Sequence, residues 1–529
     1  METPSKLSGR IALLVAREGQ ALGRAKAKRI PVLNKCLVAD LVIMKMTVLK
    51  RLVVLALGFT GSLLITKIQA AERPNIIIIL ADDYGYGSAG CYGADPKLIS
   101  TPNIDRLAHE GMRFTDAYAT GSVCTPTRYA IMTGRYCWRS SLNSGQVANT
   151  FDPLLIETNR PTIASLLKAQ GYVTAMVGKW HLGYGTAKQV DYTKELIPGP
   201  LELGFDYQFA VPQNHNDVTR VFVENHKVYG LRSTKLTPSP GNVGLDAPQR
   251  EDPKTEGVLT DKAVAWLEKQ RADQPFFLYF SPVAVHGKVT PSAESAGSSK
   301  AGPYGDYIHD LDLSVGRILK TLDRLKLADN TLVFFTSDNG GVPGRSNDPE
   351  GQAAAAGLKI NGPERGGKHE VWEGGFRVPL LARWPGRVPP GSISDQVVGS
   401  VDYLATLAAV VGESLPAPAP ELAGPDSYNF LPALLGTAKS AIRPQLLLQS
   451  AKGVYALRQG SWKVIASNGG IKGKDGKRRE TPEDPGHAQL FNLKNDPGEQ
   501  HDVSSEHPEL VHELTNILDH YRAQGYSRN

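Results

Sequence analysis

The sequence lacks a hydrophobic run long enough to cross a bilayer. The apolar stretch from Leu52 to Ile65 has fourteen residues, and a spanning helix needs about 20. Cysteine is scarce, with four in 529 residues, and no internal repeat is present. A basic surplus is missing from most of the chain. The formal net charge is +6, but residues 1–70 hold twelve Lys/Arg against three Asp/Glu, which leaves 47 against 50 and a net of −3 for the rest. A nucleic-acid-binding reading loses its main support. What is present is ordinary globular composition, 41% hydrophobic and 21% charged, in a chain long enough for two or three domains.

Lys45, Lys50 and Arg51, the Leu52 to Ile65 stretch and the small-residue exit Ile68-Gln69-Ala70 have the form of an export signal over residues 44–70. Residues 1–43 are basic and unpatterned; they are either an extension or untranslated, with Met44 or Met46 the favoured start. The expected localisation is exported, periplasmic or secreted, with no stable membrane span after cleavage. Cleavage removes Cys36 and leaves Cys91, Cys124 and Cys137, an odd number for an oxidising compartment. If Cys124 is consumed chemically, Cys91 and Cys137 could pair, which the sequence leaves open.

Asn75-Ile76-Ile77-Ile78-Ile79-Leu80-Ala81 is a β-branched run without alternation, which fits a strand buried on both faces of a parallel sheet. Similar runs at Tyr172 to Val177, Phe276 to Phe280 and Thr331 to Thr336 alternate with helical segments such as Pro161 to Gln170 and Tyr307 to Leu325. The expected fold is α/β, a large mixed, mostly parallel sheet sandwiched by helices, over a domain at 71–435. From about Gly436 the strands shorten, around Tyr455 to Ala466 and Gln489 to Leu493, before a helix from Pro508 to Gln524. Residues 436–529 read as a smaller α+β domain with an antiparallel sheet. Asn468 to Gly486, rich in Gly, Lys, Arg and Glu, reads as a solvated or mobile loop.

Asp82 and Asp83 close the first strand, and Asp338-Asn339 close another, at the carboxyl ends where open α/β sheets place their ligands. Three carboxylates packed together repel unless a divalent ion bound by oxygen donors removes that cost, so Ca²⁺ or Mg²⁺ is implied. Gly85-Tyr86-Gly87-Ser88-Ala89-Gly90 matches the dinucleotide fingerprint. The acidic partner that motif needs would be Asp105, which follows the helix start Thr101-Pro102-Asn103 and so falls in a first turn, not at a strand end. The nucleotide reading is rejected, and the glycines are assigned to a tight turn beside the metal. Pro126 pre-sets a first helical turn, which places Cys124 at a helix N-terminus that favours anions, with Arg128 as a bidentate donor for an oxyanion.

Cys124-Thr125-Pro126-Thr127-Arg128, Thr133-Gly134-Arg135, Gly178-Lys179-Trp180-His181-Leu182-Gly183, Thr336-Ser337-Asp338-Asn339-Gly340, and Arg365-Gly366-Gly367-Lys368 with Glu373-Gly374-Gly375 follow in this order. The set resembles the type I sulfatases, formylglycine-dependent members of the alkaline-phosphatase superfamily. The resemblance implies an alkaline-phosphatase-like fold and an arylsulfatase-type sulfuric ester hydrolase. It implies that Asp82, Asp83, Asp338, Asn339 and the modified Cys124 hold Ca²⁺ or Mg²⁺, and that a separate maturation enzyme oxidises Cys124 to 3-oxoalanine (formylglycine). Arg128, Lys179, His181, His286 and Lys368 would line the sulfate site, with His181 as base and His286 protonating the leaving oxygen; His215 and His309 are fallback candidates for the latter. An aldehyde hydrate supplies two hydroxyls, one to attack sulfur and one whose deprotonation releases sulfate.

The substrate implied is a sulfated sugar or aryl sulfate, with the alcohol read by loops such as Gln213 to Gly244. Ala301-Gly302-Pro303-Tyr304-Gly305-Asp306 and Phe222-Val223-Glu224-Asn225-His226 resemble bacterial members of the arylsulfatase A and N-acetylgalactosamine-6-sulfatase branch, which implies a hexosamine or galactose 6-sulfate. The competing readings are a phosphoester or phosphonate hydrolase on the same scaffold, and a noncatalytic glycan-binding protein in which Cys124 stays unmodified.

Overall fold

A computed structural model describes residues 73–528 apart from 144 and 473–475. The expected export signal at 44–70 and the segment before it lie outside the described residues. Ten strands form one sheet: β1 (Asn75–Ala81), β2 (Met112–Phe114), β3 (Val173–Lys179), β4 (Tyr207–Val211), β5 (Val223–Glu224), β6 (Lys227–Val228), β7 (Phe276–Ser281), β8 (Thr331–Ser337), β9 (Leu380–Arg383) and β10 (Ser392–Ser394). Their spatial order is β10-β2-β9-β8-β1-β7-β3-β4-β5-β6. The five central strands, β8 to β4, run parallel, and β9 and β5 flank them antiparallel.

The β-branched run of β1 is buried along its whole length because both faces are covered. Ile76, Ile78 and Leu80 point into one core, Ile77, Ile79 and Ala81 into the other. The first core is closed by α2 (Cys124–Thr133), α3 (Ile163–Ala169) and α6 (Tyr403–Val410). The second is closed by α1 (Pro102–His109), α4 (Asp252–Leu267) and α5 (Gly302–Leu325). Asp105 lies in the first turn of α1, as the sequence indicates. Helix α5 begins five residues before the expected Tyr307, since Pro303 in its first turn loses no intrahelical hydrogen bond.

Four further strands, β11 (Leu446–Gln449), β12 (Tyr455–Gln459), β13 (Trp462–Ile465) and β14 (Gln489–Asn492), make an antiparallel sheet. One face packs on Tyr118, Val371, Trp372 and Phe376. The other packs on Ala130 and Tyr136 and is covered by the last helix, α7 (Pro508–Gln524). Among the described residues no helix is long and apolar enough to cross a membrane.

Two sequence expectations need correction. Asn468 to Gly486 is not simply a solvated loop: Ile471–Lys472 pairs with Arg478–Arg479 in a ribbon, and Glu483 and Asp484 are buried. Glu483 accepts the Val371 N–H at 3.1 Å and Asp484 accepts from Ser467 and Asn468, so charge in this segment serves internal bonds. Cys91 and Cys137 do not pair. Both are free thiols, one packed against the second core and one within the first, on opposite sides of the sheet.

Close strand contact sets a steric limit in β3. Gly178 has φ +122°, and a Cβ there would lie 1.9 Å from the Ser281 carbonyl oxygen of β7. Gly178→Ala is expected to cost about 3 kcal/mol or more, read as a lower denaturation midpoint; an unchanged midpoint would show that the strands separate freely.

Candidate active site

The parallel strands deliver their carboxyl ends to one edge. Asp82 and Asp83 follow β1, Lys179 ends β3 with His181 two residues on, Ser281 ends β7 ahead of His286, and Asp338-Asn339 follow β8. The register aligns these ends, Ala81 with Ser337 and Gly178 with Ser281. Cys124 arrives from the first position of α2, and Lys368 from the loop before Glu373. All ten residues expected from sequence meet here. One donor atom each from Asp82, Asp83, Cys124 and His286 lies within 4.8 Å of the others. His309 is elsewhere, bonded to Ser100 and Ser298, and His215 sits behind His286 with Nε2 3.2 Å from its carbonyl oxygen.

Three cations face three carboxylates, all buried. Lys179 Nζ donates to both Asp82 oxygens at 2.9 and 2.8 Å and lies 3.3 Å from Cys124 Sγ. Lys368 Nζ donates to Asp83 Oδ2 at 2.6 Å. Arg128 grips Asp338 Oδ2 through Nε at 3.0 Å and Nη2 at 2.6 Å, approaches Asp82 at 3.5 Å, and gives Nη1 to Ser281 and the Lys179 carbonyl. Its fork, expected to hold an oxyanion, is thus committed to carboxylates. Burial opposes ionisation of Asp83, yet Lys368 beside it holds the carboxyl well below the usual range.

The two histidines are electrostatically unlike free imidazoles. Burial, with Lys179 and Arg128 nearby, pushes His181 well below its ordinary pKa, so the ring is neutral at pH 7. Its Nε2 lies 3.1 Å from the Ala148 carbonyl oxygen, which only accepts, so Nε2 carries the proton. The lone pair is therefore on Nδ1, which is buried without a partner. His286 Nε2 lies 3.9 Å from Asp83, and burial, then Lys368, depresses this ring as well. Asp83 and His181 both sit at φ +58°, a left-handed conformation that costs about 1–2 kcal/mol per residue and marks a constrained site. Burial pushes the Cys124 thiol up to about 12, so the unmodified side chain is no thiolate at neutral pH.

Sequence reasoning missed Ser281 and Ser337. Ser281 partners Arg128; Ser337 Oγ accepts the Tyr84 N–H and donates to the Asn339 carbonyl, each at 2.9 Å. Their signal is simple: each is the hydroxyl residue that ends an apolar strand. The Gly85 run forms a turn, Ser88 N–H to Gly85 O at 3.1 Å, and a Cβ on Gly85 would lie 2.3 Å from the Ile360 carbonyl oxygen. Close backbone approach, not a phosphate, explains that glycine.

The donor set fits a hard divalent cation. Asn339 gives Nδ2 to Asp83 Oδ1 at 2.8 Å, while its Oδ1 is buried and has no partner among three carboxylates. A carbonyl oxygen without a donor beside carboxylates is what an oxygen-ligated cation uses.

A family model described as Sulfatase matches residues 74–413, and one described as N-sulphoglucosamine sulphohydrolase, C-terminal, matches residues 367–524. The chain belongs to the sulfatase family. It is 36% identical over 489 residues to an N-acetylgalactosamine-6-O-sulfatase of Bacteroides thetaiotaomicron, covering 85% of this chain and 93% of that one. Human arylsulfatase A is 34% identical over 477 residues, covering 85% and 88%. A solved sulfatase from a Bacteroides thetaiotaomicron locus for metabolism of multiple glycosaminoglycans superposes with a TM-score of 0.78 at 34% identity, covering 85% of this chain and all of that one. A phosphonate monoester hydrolase of Agrobacterium radiobacter, 18% identical with a TM-score of 0.55 over 86% of this chain and 96% of its own, shares the fold. This sulfatase is a sulfuric ester hydrolase.

Arg128 carries the heaviest structural duty in the site, because its loss leaves Asp338 buried without a counter-charge. Arg128→Ala is expected to destabilise the chain by about 3–5 kcal/mol, measured by denaturant unfolding; a loss under about 1 kcal/mol would mean that the carboxylates are held by other means.

Proposed function

We propose that this sulfatase hydrolyses a sulfated sugar through a formylglycine made from Cys124, with a divalent ion, Ca²⁺ or Mg²⁺, held by Asp82, Asp83, Asp338, Asn339 and the modified Cys124. The observation that carries the reading is the placement of a thiol too weakly acidic to act as a thiolate at a helix N-terminus between Lys179 and Asp82. When bound, the cation supplies Lewis acidity to a hydroxyl and to a sulfate oxygen. A formylglycine at position 124 would supply, as its hydrate, a hydroxyl nucleophile and a second hydroxyl that can be deprotonated.

The chain's own residues divide the remaining work. Lys179 and Lys368 bracket the carboxylates and face the position of a bound sulfate, where each donor contributes about 3 kcal/mol to stabilising growing oxyanion charge in a dry, preorganised site. His181 takes a proton at Nδ1, the nitrogen its bond to Ala148 leaves free. His286 is the group for the leaving oxygen; burial, then Lys368 and Lys179, now keep its ring neutral, and the negative charge of a bound sulfate ester offsets the part due to the lysines. Arg128 is the counter-charge that holds Asp338 in place and approaches Asp82.

Relatives named N-acetylgalactosamine-6-O-sulfatase and N-acetylgalactosamine-6-sulfatase support a 6-O-sulfated hexosamine as substrate. Export to the periplasm or outside the cell is the setting that fits such a substrate and the leader.

Peptide mass spectrometry across Cys124 on natively exported protein should find the aldehyde. Cys124→Ala should keep the wild-type melting profile and lose sulfate release, by about 10³-fold or more; appreciable turnover by that variant ends the nucleophile assignment. Thorough chelation should abolish hydrolysis of an aryl sulfate, and paired aryl sulfate and phosphate assays should favour sulfate. Equal or higher kcat/KM on the phosphate would transfer the protein to the phosphoester reading.

A further inference from the structure

The segment between β7 and His286 is held by a carboxyl group that the chemistry proposed above does not use. Past Ser281 the chain leaves the sheet, and the buried Val283 and Ala284 N–H groups need acceptors outside the strand ladder. Both donate to one oxygen of Glu256, Oε2, at 3.0 and 3.3 Å. Glu256 lies on α4, in the layer that closes the second core, and is 3% exposed. Its other oxygen accepts from Ser314 of α5 at 2.8 Å, and Thr260, one turn along α4, donates to Ser314 at 2.8 Å. The carboxyl group is therefore fixed at both oxygens.

Residues 283–286 bear on both halves of the site. The Ala284 carbonyl accepts the Asp82 N–H at 3.1 Å, and the Val285 N–H donates to the Asp82 carbonyl at 2.8 Å. The His286 N–H closes a turn on the Val283 carbonyl at 3.1 Å, and His215 Nε2 donates to the His286 carbonyl at 3.2 Å. His286 Nδ1 meets the Gly287 carbonyl oxygen, which only accepts, so Nδ1 carries the ring proton. Nε2 is then the nitrogen left to face the site, 3.9 Å from Asp83. Its direction follows from the backbone at 283–286, and that backbone is anchored on Glu256.

Burial pushes the Glu256 carboxyl up to about 7. Oε2 keeps lone pairs for both N–H groups whether or not Oε1 holds a proton, so reach rather than charge sets the backbone.

We propose that Glu256 is a positioning residue for proton delivery to the leaving oxygen: it fixes Val283 and Ala284 so that His286 Nε2 points at the oxygen of the departing alcohol. The inference rests on the role given to His286 above. In that step the S–O bond to the alcohol breaks with its electron pair on oxygen, and the proton that the ring takes from water at Nε2 as the ester binds passes to that oxygen. A misplacement of about 1 Å can cost about 100-fold in rate, so a segment held at two adjacent peptides matters to the step.

The leaving group reads this role in the mature enzyme. A 4-nitrophenolate departs without a proton and a phenolate gains from one, while the two sulfates are similar in shape. His286→Ala should lower kcat/KM for phenyl sulfate about tenfold more than for 4-nitrophenyl sulfate. Glu256→Asp, which keeps the charge but is one methylene too short, should show the same excess. Glu256→Gln, which keeps the reach, should stay within about twofold of the parent ratio. Without substrate, the amides of 281–286 should exchange with deuterium about tenfold faster in Glu256→Asp than in the parent. Should Glu256→Asp fail to fold, Ser314→Ala, which frees Oε1, takes its place in both measurements. No excess in His286→Ala removes the His286 assignment, and this inference with it. An excess in His286→Ala without one in the folded Glu256→Asp or Ser314→Ala chain overturns the positioning role alone, as does an equal excess in Glu256→Gln or unchanged exchange over 281–286.

Discussion

The structure depends on holding three carboxylates together, out of water, at one edge of a sheet. Asp82, Asp83 and Asp338 are between 0 and 2% exposed, and like charges so placed would otherwise protonate or push apart. Lys179, Lys368 and Arg128 answer them one for one, through the 2.6–2.9 Å contacts of the two lysines and the fork of Arg128. The arrangement leaves each cation tied to a carboxylate until something of higher charge density binds them. The same charge balance that stabilises the folded chain holds both lysines at the carboxylate edge.

That balance is possible only because of the topology. Parallel strands β8, β1, β7 and β3 are neighbours in space but far apart in sequence, and they end together. Two acids, a lysine, a serine and an acid-amide pair therefore meet without any loop having to reach far. Helix α2 adds its N-terminus, where free backbone N–H groups favour negative charge, and closes over the same core as α3 and α6.

Much of this arrangement is legible in the amino-acid sequence. The unbroken isoleucines of β1 mark a strand covered on both faces, and the acids directly after apolar runs mark a ligand edge. The rest is hidden for physical reasons. Arg128 reads in sequence as an oxyanion clamp, because spacing shows that it lies one helical turn past Cys124 but not that Asp338 waits on the same side. The lysine-rich segment before Gly486 reads as solvated, because composition does not show that Glu483 and Asp484 find internal donors. Cys91 and Cys137 look like partners by elimination, and a sheet stands between them.

The small C-terminal sheet takes part in the site rather than merely adjoining it. Lys463 of β13 is fully buried, and its Nζ donates to the Val371 carbonyl at 3.0 Å and pairs with Glu373 at 3.1 Å and Glu499 at 2.7 Å. Val371 and Glu373 lie three and five residues after Lys368, and Tyr118 OH donates to Glu373 at 2.6 Å. The loop that presents Lys368 to Asp83 is therefore clamped from behind by a charge that belongs to the other sheet. A strand some ninety-five positions away in sequence thus fixes the backbone from which Lys368 reaches Asp83.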